Sequence, residues 1–245
     1  MGVLVILVGV LGLLRMQEGA GLKPAKDEKG FWHQFFAVFN FRTLKENKEL
    51  FWVFLIMTAY FTGFNAFFAH AGNYFIYTLG FDEGMAGILQ GAGLGVAVLA
   101  TVPTIGLINR GRHALLIAVS MAASVAGLAV LAVCGNAIVP LLAGILLVGV
   151  GYVLVMQTTT AWVKNLYPEQ SRGQFEGVRI VFNVLIPMVL GPGMANIVIS
   201  NWGIPVVIDG VSGMAPSGAL FYAAAAVMVL VLAPTWMAVK TRKNA

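Results

Sequence analysis

An all-α membrane protein, a bundle of six transmembrane helices preceded by a partial helix and a cytoplasmic linker, is the fold class that three features of the sequence predict. First, hydrophobic residues make up 59% of the 245 residues and charged residues only 10%. With a mean hydropathy of +0.87, such a chain would aggregate as a water-soluble domain. Second, six long apolar runs follow one another, separated by short breaks carrying Gly, Pro, Asn or charge. Third, if those runs alternate across a bilayer, all 15 Lys and Arg fall on one side, and the opposite loops carry only Asp82, Glu83 and Asp209. The positive-inside rule places the basic loops and the carboxyl terminus in the cytoplasm of a multi-pass protein of the cell (inner) membrane.

The elements follow in order. Met1 to Leu14 is apolar and stops at Arg15. Fourteen helical residues rise about 21 Å, short of the roughly 30 Å hydrocarbon core. No positive charge precedes the run, as a signal peptide would require, so residues 1–14 read as a partial transmembrane helix whose beginning is missing. Residues 15–49 read as a cytoplasmic linker. Within it Gln17 to Lys29 is polar and aperiodic, whereas Phe31 to Leu44 sets Phe31, Phe35, Phe36, Val38 and Phe39 among His33, Gln34, Asn40 and Arg42, the pattern of a short interfacial helix. The six full spans, a bundle over 50–245, are predicted near 50–79, 84–108, 114–134, 138–163, 174–200 and 217–239. Between the fifth and sixth, N-W-G-I-P-V-V-I-D-G-V-S-G-M-A-P reads as a long Gly- and Pro-rich loop. Pro103, Pro187 and Pro192 are placed to break or kink the second and fifth spans.

Composition and motif exclude several functions. The net charge of +5 is scattered over helix ends and forms no face that could track phosphates, so nucleic acid is no partner. Cys134, the single cysteine, can form no internal disulfide. G-A-G-L-G (Gly91 to Gly95) has no strand before it; Gly87, Gly91 and Gly95 repeat every fourth residue and predict an edge for close helix contact. No nucleophile has a base at a workable spacing, no carboxylates pair within the membrane and no metal-ligand cluster occurs, so the chain reads as neither enzyme nor cofactor protein.

The polar residues inside the spans are the candidate site. Asn65, His70 and Asn73 lie in the middle and outer parts of the first span, with Tyr77 a turn further on. Polar groups at that depth avoid lipid. They are suited to hydrogen-bonding a sugar's hydroxyls, with Tyr60, Phe64, Phe67 or Tyr74 stacking on its apolar face, or else to bonding between helices. His70 has no second ligand at metal-binding spacing. Gln157, beside Tyr152 and the run Thr158 to Thr160 on the fourth span, and Gln90 on the second carry amides that need partners when buried. Lys164 to Pro187 is a cytoplasmic hinge in which Pro168 ends one helix, Ser171 caps the next, Glu176 sits near its positive end, and Arg172 faces an anionic leaflet or a carboxylate. Glu176, Arg179 and Asn183 form one stripe. Arg179, about two turns inside, needs a partner, with Glu169 or Glu176 nearest in sequence. That pair is either a cytoplasmic gate or a permanent tie.

Two loops carry a family resemblance. P-E-x-x-R-G-x-x-E-G (Pro168 to Gly177), between two hydrophobic helices, resembles the loop joining the tenth and eleventh helices of major facilitator superfamily (MFS) transporters. G-L-I-N-R-G-R-H (Gly106 to His113) resembles the MFS loop pattern G-x-L-x-D-R-x-G-R, with Asn109 where Asp is usual and Arg110 and Arg112 as its arginines. Nearly the whole chain is similar to the carboxy-terminal half of an MFS protein, and R-G-Q-F-E-G-V-R running into N-V-L-I-P-M is most similar to the sugar:cation symporters of the glycoside-pentoside-hexuronide group. The resemblance implies a secondary active transporter that binds a sugar or glycoside between two six-helix halves near the midplane and works by alternating access. It makes Arg110, Arg112, Glu169, Arg172, Glu176 and Arg179 candidates for gating salt bridges, with headgroup anchoring the other reading of Arg110 and Arg112. It also implies Na+ or H+ as coupling ion, with the ion site in a missing amino-terminal half. That half, the substrate and membrane lipid are the implied partners. The alternatives are a non-transporting membrane assembly or anchoring subunit, and an MFS exporter or transporter of another small molecule.

Overall fold

The computed structural model describes residues 6, 9–12, 47–167, 172–208 and 210–243. It divides into two units, Met1–Ala37 and Val38–Ala245. In the first, residues 9–12 are helical; the predicted interfacial helix lies outside the described residues.

The second unit contains six helical stretches long and apolar enough to cross a bilayer: Lys48–Thr78, Glu83–Asn109, His113–Val133, Ile138–Leu166, Phe175–Trp202 and Gly218–Arg242. The first is α1 (Lys48–Asn73) continued by a π-helical turn, Tyr74–Thr78. The second opens where Asp82 accepts a hydrogen bond from the Met85 amide at 3.0 Å, runs as α2 (Glu83–Thr101), tightens into a 3-10 turn at Val102–Thr104 and ends as α3 (Ile105–Asn109). Pro103 lies in that turn, because its missing N–H and ring cannot continue an α-helical ladder. The third and fourth are α4 (His113–Val133) and α5 (Ile138–Leu166). The fifth is α6 (Arg172–Ile180), a π turn at Val181–Leu185, and α7 (Ile186–Trp202), which takes Pro187 in its first turn and continues through Pro192. The sixth is α8 (Gly218–Val229) and α9 (Leu232–Lys243), divided at Leu230 and Val231 just ahead of Pro234.

The connection between the fifth and sixth spans corrects the loop expected there. It is an antiparallel hairpin of β1 (Ile204–Ile208) and β2 (Val211–Ala215), in register from Ile204 opposite Ala215 to Ile208 opposite Val211. Gly210 at the turn has φ +81°, a conformation that favours glycine.

The first span is the axis of the bundle. Of its most apolar window 61% is buried, against 19% for the second span and 22% for the fifth. Around α1 pack α5, α7, α8 and α9, while α4 and α5 share the most extensive interface. A methyl group added at Gly127 on α4 would lie 2.7 Å from the Gly144 carbonyl of α5, so the two backbones nearly touch. The close contact expected at Gly87, Gly91 and Gly95 is not where the structure puts it. Nothing lies within 4 Å of a methyl group at any of the three, and it is Gly93, on the other side of α2, that packs against Ile145 of α5.

Candidate functional site

In the half of the bundle away from the basic loops, α1, α2, α4, α5 and α8 line a partly open cavity of about 290 Å³, at the small end of the range for ligand pockets. The sequence builds its wall from one helical face. Phe64, Phe68, Ala71 and Phe75 recur at spacings of three and four along the first span and all line it, because such residues share a face. Phe64 stacks on Tyr152 of α5 (centroids 4.4 Å apart, planes at 27°) and on Phe68 (4.9 Å, 22°), and meets Phe67 edge-on (5.2 Å, 76°). Phe221 of α8 completes the aromatic wall and is met edge-on by Tyr74 (4.7 Å, 78°). Gln90 of α2 supplies an amide to this wall. It donates one N–H to the Ala86 carbonyl at 3.2 Å, so its second N–H and its carbonyl oxygen remain as hydrogen-bonding capacity toward a guest.

The end with the basic loops is built from charge. Arg179 donates to the Glu176 carboxylate at 2.7 Å, an ion pair within α6 and the only one among the described residues. Beside it, the Tyr167 ring stacks on Phe175 (5.6 Å, 19°) and its hydroxyl donates to the Phe175 carbonyl at 3.3 Å. Burial, reinforced by the Glu176 carboxylate, pushes the Tyr167 phenol well above the usual tyrosine range. Tyr167, just past α5, thus ties the fourth span to α6, while the Glu176–Arg179 pair stiffens α6 itself. Across the same end Arg110, His113, Lys164 and Arg242 surround an open cleft.

A family model described as Major Facilitator Superfamily matches residues 1–192. The chain belongs to the Major Facilitator Superfamily. No curated protein and no solved structure matches it. Membership in this superfamily makes the chain a multi-pass membrane protein of a family of transporters rather than enzymes, and the six helical spans accord with that architecture.

Within this superfamily fold the predicted site residues scatter. Asn65 faces α7, where a methyl group on Gly191 would lie 2.8 Å from its Cβ, and donates to the Phe61 carbonyl of its own helix at 2.8 Å. His70 is half-buried and Asn73 exposed. Neither these three nor Gln157 line the aromatic cavity, since α1 turns Phe64 and Phe68 toward it and the amides away. Gln157 is half-buried, and its carbonyl oxygen, like that of Asn183, is buried without a hydrogen-bond partner. Of the proposed stacking rings, Phe64 and Phe67 line the cavity, whereas Tyr60 bonds Ser124 at 2.8 Å and Tyr74 donates to the Leu131 carbonyl at 3.1 Å. Arg110 and Arg112 are exposed. Glu169, Pro168, Ser171 and the side chain of Arg172 lie outside the described residues. Sequence reasoning missed Phe68, Phe75, Phe221 and above all His113. The repeat at Phe64, Phe68, Ala71 and Phe75 was signal enough for the first two.

Proposed function

We propose that this MFS chain is the carboxy-terminal half of a secondary active transporter that carries a sugar or glycoside with Na+ or H+ by alternating access. The observation that carries the reading is the cavity beside the bundle axis, where Phe64, Tyr152 and Phe68 offer aromatic faces and Gln90 an amide. Sugar rings present C–H faces to aromatic planes and hydroxyls to amides, so a stacked wall with an amide beside it fits a small glycoside. A second six-helix half fits the weakly buried second and fifth spans. Those spans hold only 19% and 22% of their apolar windows inside the bundle, which leaves most of their apolar surface for a partner. In this reading Asn65, His70, Asn73 and Gln157 meet substrate or the other half. The Glu176–Arg179 pair and Arg110, Arg112, Glu169 and Arg172 serve the cytoplasmic gate, and the cation site belongs to the amino-terminal half. The basic loops and the carboxyl terminus lie in the cytoplasm.

The test is uptake of labelled glycosides into vesicles holding this chain with a matching amino-terminal half, under an imposed Na+ or H+ gradient. Uptake that needs both halves and falls with Gln90→Ala supports the proposal. Gradient-driven uptake by this chain alone overturns the half-transporter reading. A second reading, an exporter of apolar compounds, is favoured by the phenylalanines that dominate the cavity wall. It predicts binding of lipophilic compounds that is indifferent to Gln90→Ala.

A further inference from the structure

The open cleft at the basic end gathers Arg110, His113, Lys164 and Arg242, with Asn109 and Asn165 beside them. These residues come from three spans: Arg110 and His113 flank the turn between α3 and α4, Lys164 is in the last turn of α5, and Arg242 is near the end of α9. The turn is set by Gly111, whose φ of +69° lets the chain reverse, and the Arg242 guanidinium lies beside it, 3.7 Å from where a methyl group would sit. The first turn of α4 opens at this cleft. No side chain caps that turn and no acidic residue lies in it, so the positive end of a 21-residue helix dipole adds to the basic side chains.

His113 is the second and independent observation. The first residue of α4 is only 4% exposed, yet neither ring nitrogen has a hydrogen-bond partner. Its ring is fixed by stacking on Trp162 (5.0 Å, 25°), and Trp162 in turn donates its indole N–H to the Glu49 carboxylate at 2.7 Å. No carboxylate pairs with Arg110, Lys164 or Arg242 among the described residues. A buried imidazole with both nitrogens unsatisfied costs stability unless a ligand supplies the missing oxygen.

We propose that this cleft is a binding site for a phosphate group, with Lys164, Arg110 and Arg242 neutralising its charge, the amides at the start of α4 donating to its oxygens, and His113 contributing a ring N–H. Basic side chains around an uncapped helix amino terminus form a phosphate site by the physics of both parts. The phosphate has two possible sources, an anionic lipid headgroup from the facing leaflet or a soluble phosphate.

The full chain is placed in phosphatidylcholine nanodiscs, with and without phosphatidylglycerol, and in neutral nanodiscs titrated with inorganic phosphate. Native mass spectrometry counts retained phosphatidylglycerol, and the thermal midpoint reports phosphate. The double variant Lys164→Gln/Arg242→Gln changes exposed side chains only and is expected to weaken binding about 25-fold. A matched control, Lys48→Gln/Lys240→Gln, removes the same charge outside the cleft and leaves the affinity unchanged. Retention of phosphatidylglycerol alone assigns the site to lipid, a response to phosphate alone assigns it to the soluble ion, and a response to both assigns it to the shared group. Binding of neither, or equal weakening by the control pair, overturns the proposal.

Discussion

The two ends of the bundle solve the problem of an interior site by opposite physical means. Around Phe64 the wall is nearly all apolar, its shape comes from rings stacked at 4.4 to 4.9 Å, and the nearby polar groups each have a partner within the bundle, one Gln90 N–H on Ala86 and the Tyr74 hydroxyl on Leu131. Around His113 the wall is cationic, its shape comes from a glycine turn, and the buried imidazole is left without a partner. The first arrangement holds its form with nothing bound, because apolar contacts need no counterpart. The second is complete only when an anion arrives. The difference implies that salt and headgroup charge act on one end, and ring truncation on the other.

The largest expected effect breaks the aromatic end. Phe64→Ala removes the stacks on Tyr152 and Phe68 and should cost about 2–3 kcal/mol of stability, read as a lower thermal midpoint that added salt does not restore. Next, Tyr60→Phe leaves the buried Ser124 hydroxyl without its partner at 2.8 Å and should cost about 1–2 kcal/mol. Ser124→Ala in the same background should recover part of that loss in a double-mutant cycle. Gly111→Ala forces a φ of +69° on a residue with a side chain, at about 1 kcal/mol, and by straining the turn that carries Arg110 and His113 it should lower retention of phosphatidylglycerol while leaving ligand binding in the aromatic cavity unchanged. Smallest is Glu176→Gln. With its two side chains 36% and 21% exposed, the pair is worth about 0.5 kcal/mol at most, and the loss should vanish in high salt.

Cys134 compares the two ends directly. It lies between α4 and α5, away from the basic loops, and burial raises its thiol above the usual range. The reactive thiolate is therefore scarce near neutral pH. An impermeant maleimide applied from the side opposite the basic loops should label it slowly, and the rate should keep rising at pH values where an ordinary exposed thiol has levelled off. Labelling from the basic side instead would mean that α4 does not cross the bilayer.

How far the sequence reveals this depends on contrast. The spans were legible because long apolar runs stand out against charged breaks, and the predicted limits fall within a few residues of the helices from Lys48 to Arg242. Rotation about each helix axis was not legible where a helix is apolar on every side. Nothing in the second span told the Gly91 edge from the Gly93 edge that packs on Ile145, and the amides of the first span drew attention to the faces that turn from the cavity. Where polarity does alternate, in R-G-Q-F-E-G-V-R, the Glu176–Arg179 pair could be anticipated. The hairpin after α7 announced itself as β-branched residues around Asp-Gly, a strong hairpin signal, but was masked by the expectation that Gly and Pro mean loop. His113 was hidden by its neighbours: a histidine after Arg-Gly-Arg reads as one more basic loop residue, and only the stack on Trp162 makes it a buried one.

The near contact of Gly127 with Gly144 bears on how the chain is made. The third and fourth spans are joined by residues 134–137 alone, and glycines line their crossing, with Gly127 against the Gly144 backbone, Gly144 against the Leu131 side chain and Gly151 against Ser124. Helices so close in sequence and so free of bulk at their crossing can associate while the later spans are still being synthesised. The pair can therefore leave the insertion machinery as a finished hairpin, and the first span, which packs on α5, then has a preformed surface to dock against. A bulky residue at Gly144 would act on assembly in the cell, lowering yield through degradation of unpaired helices.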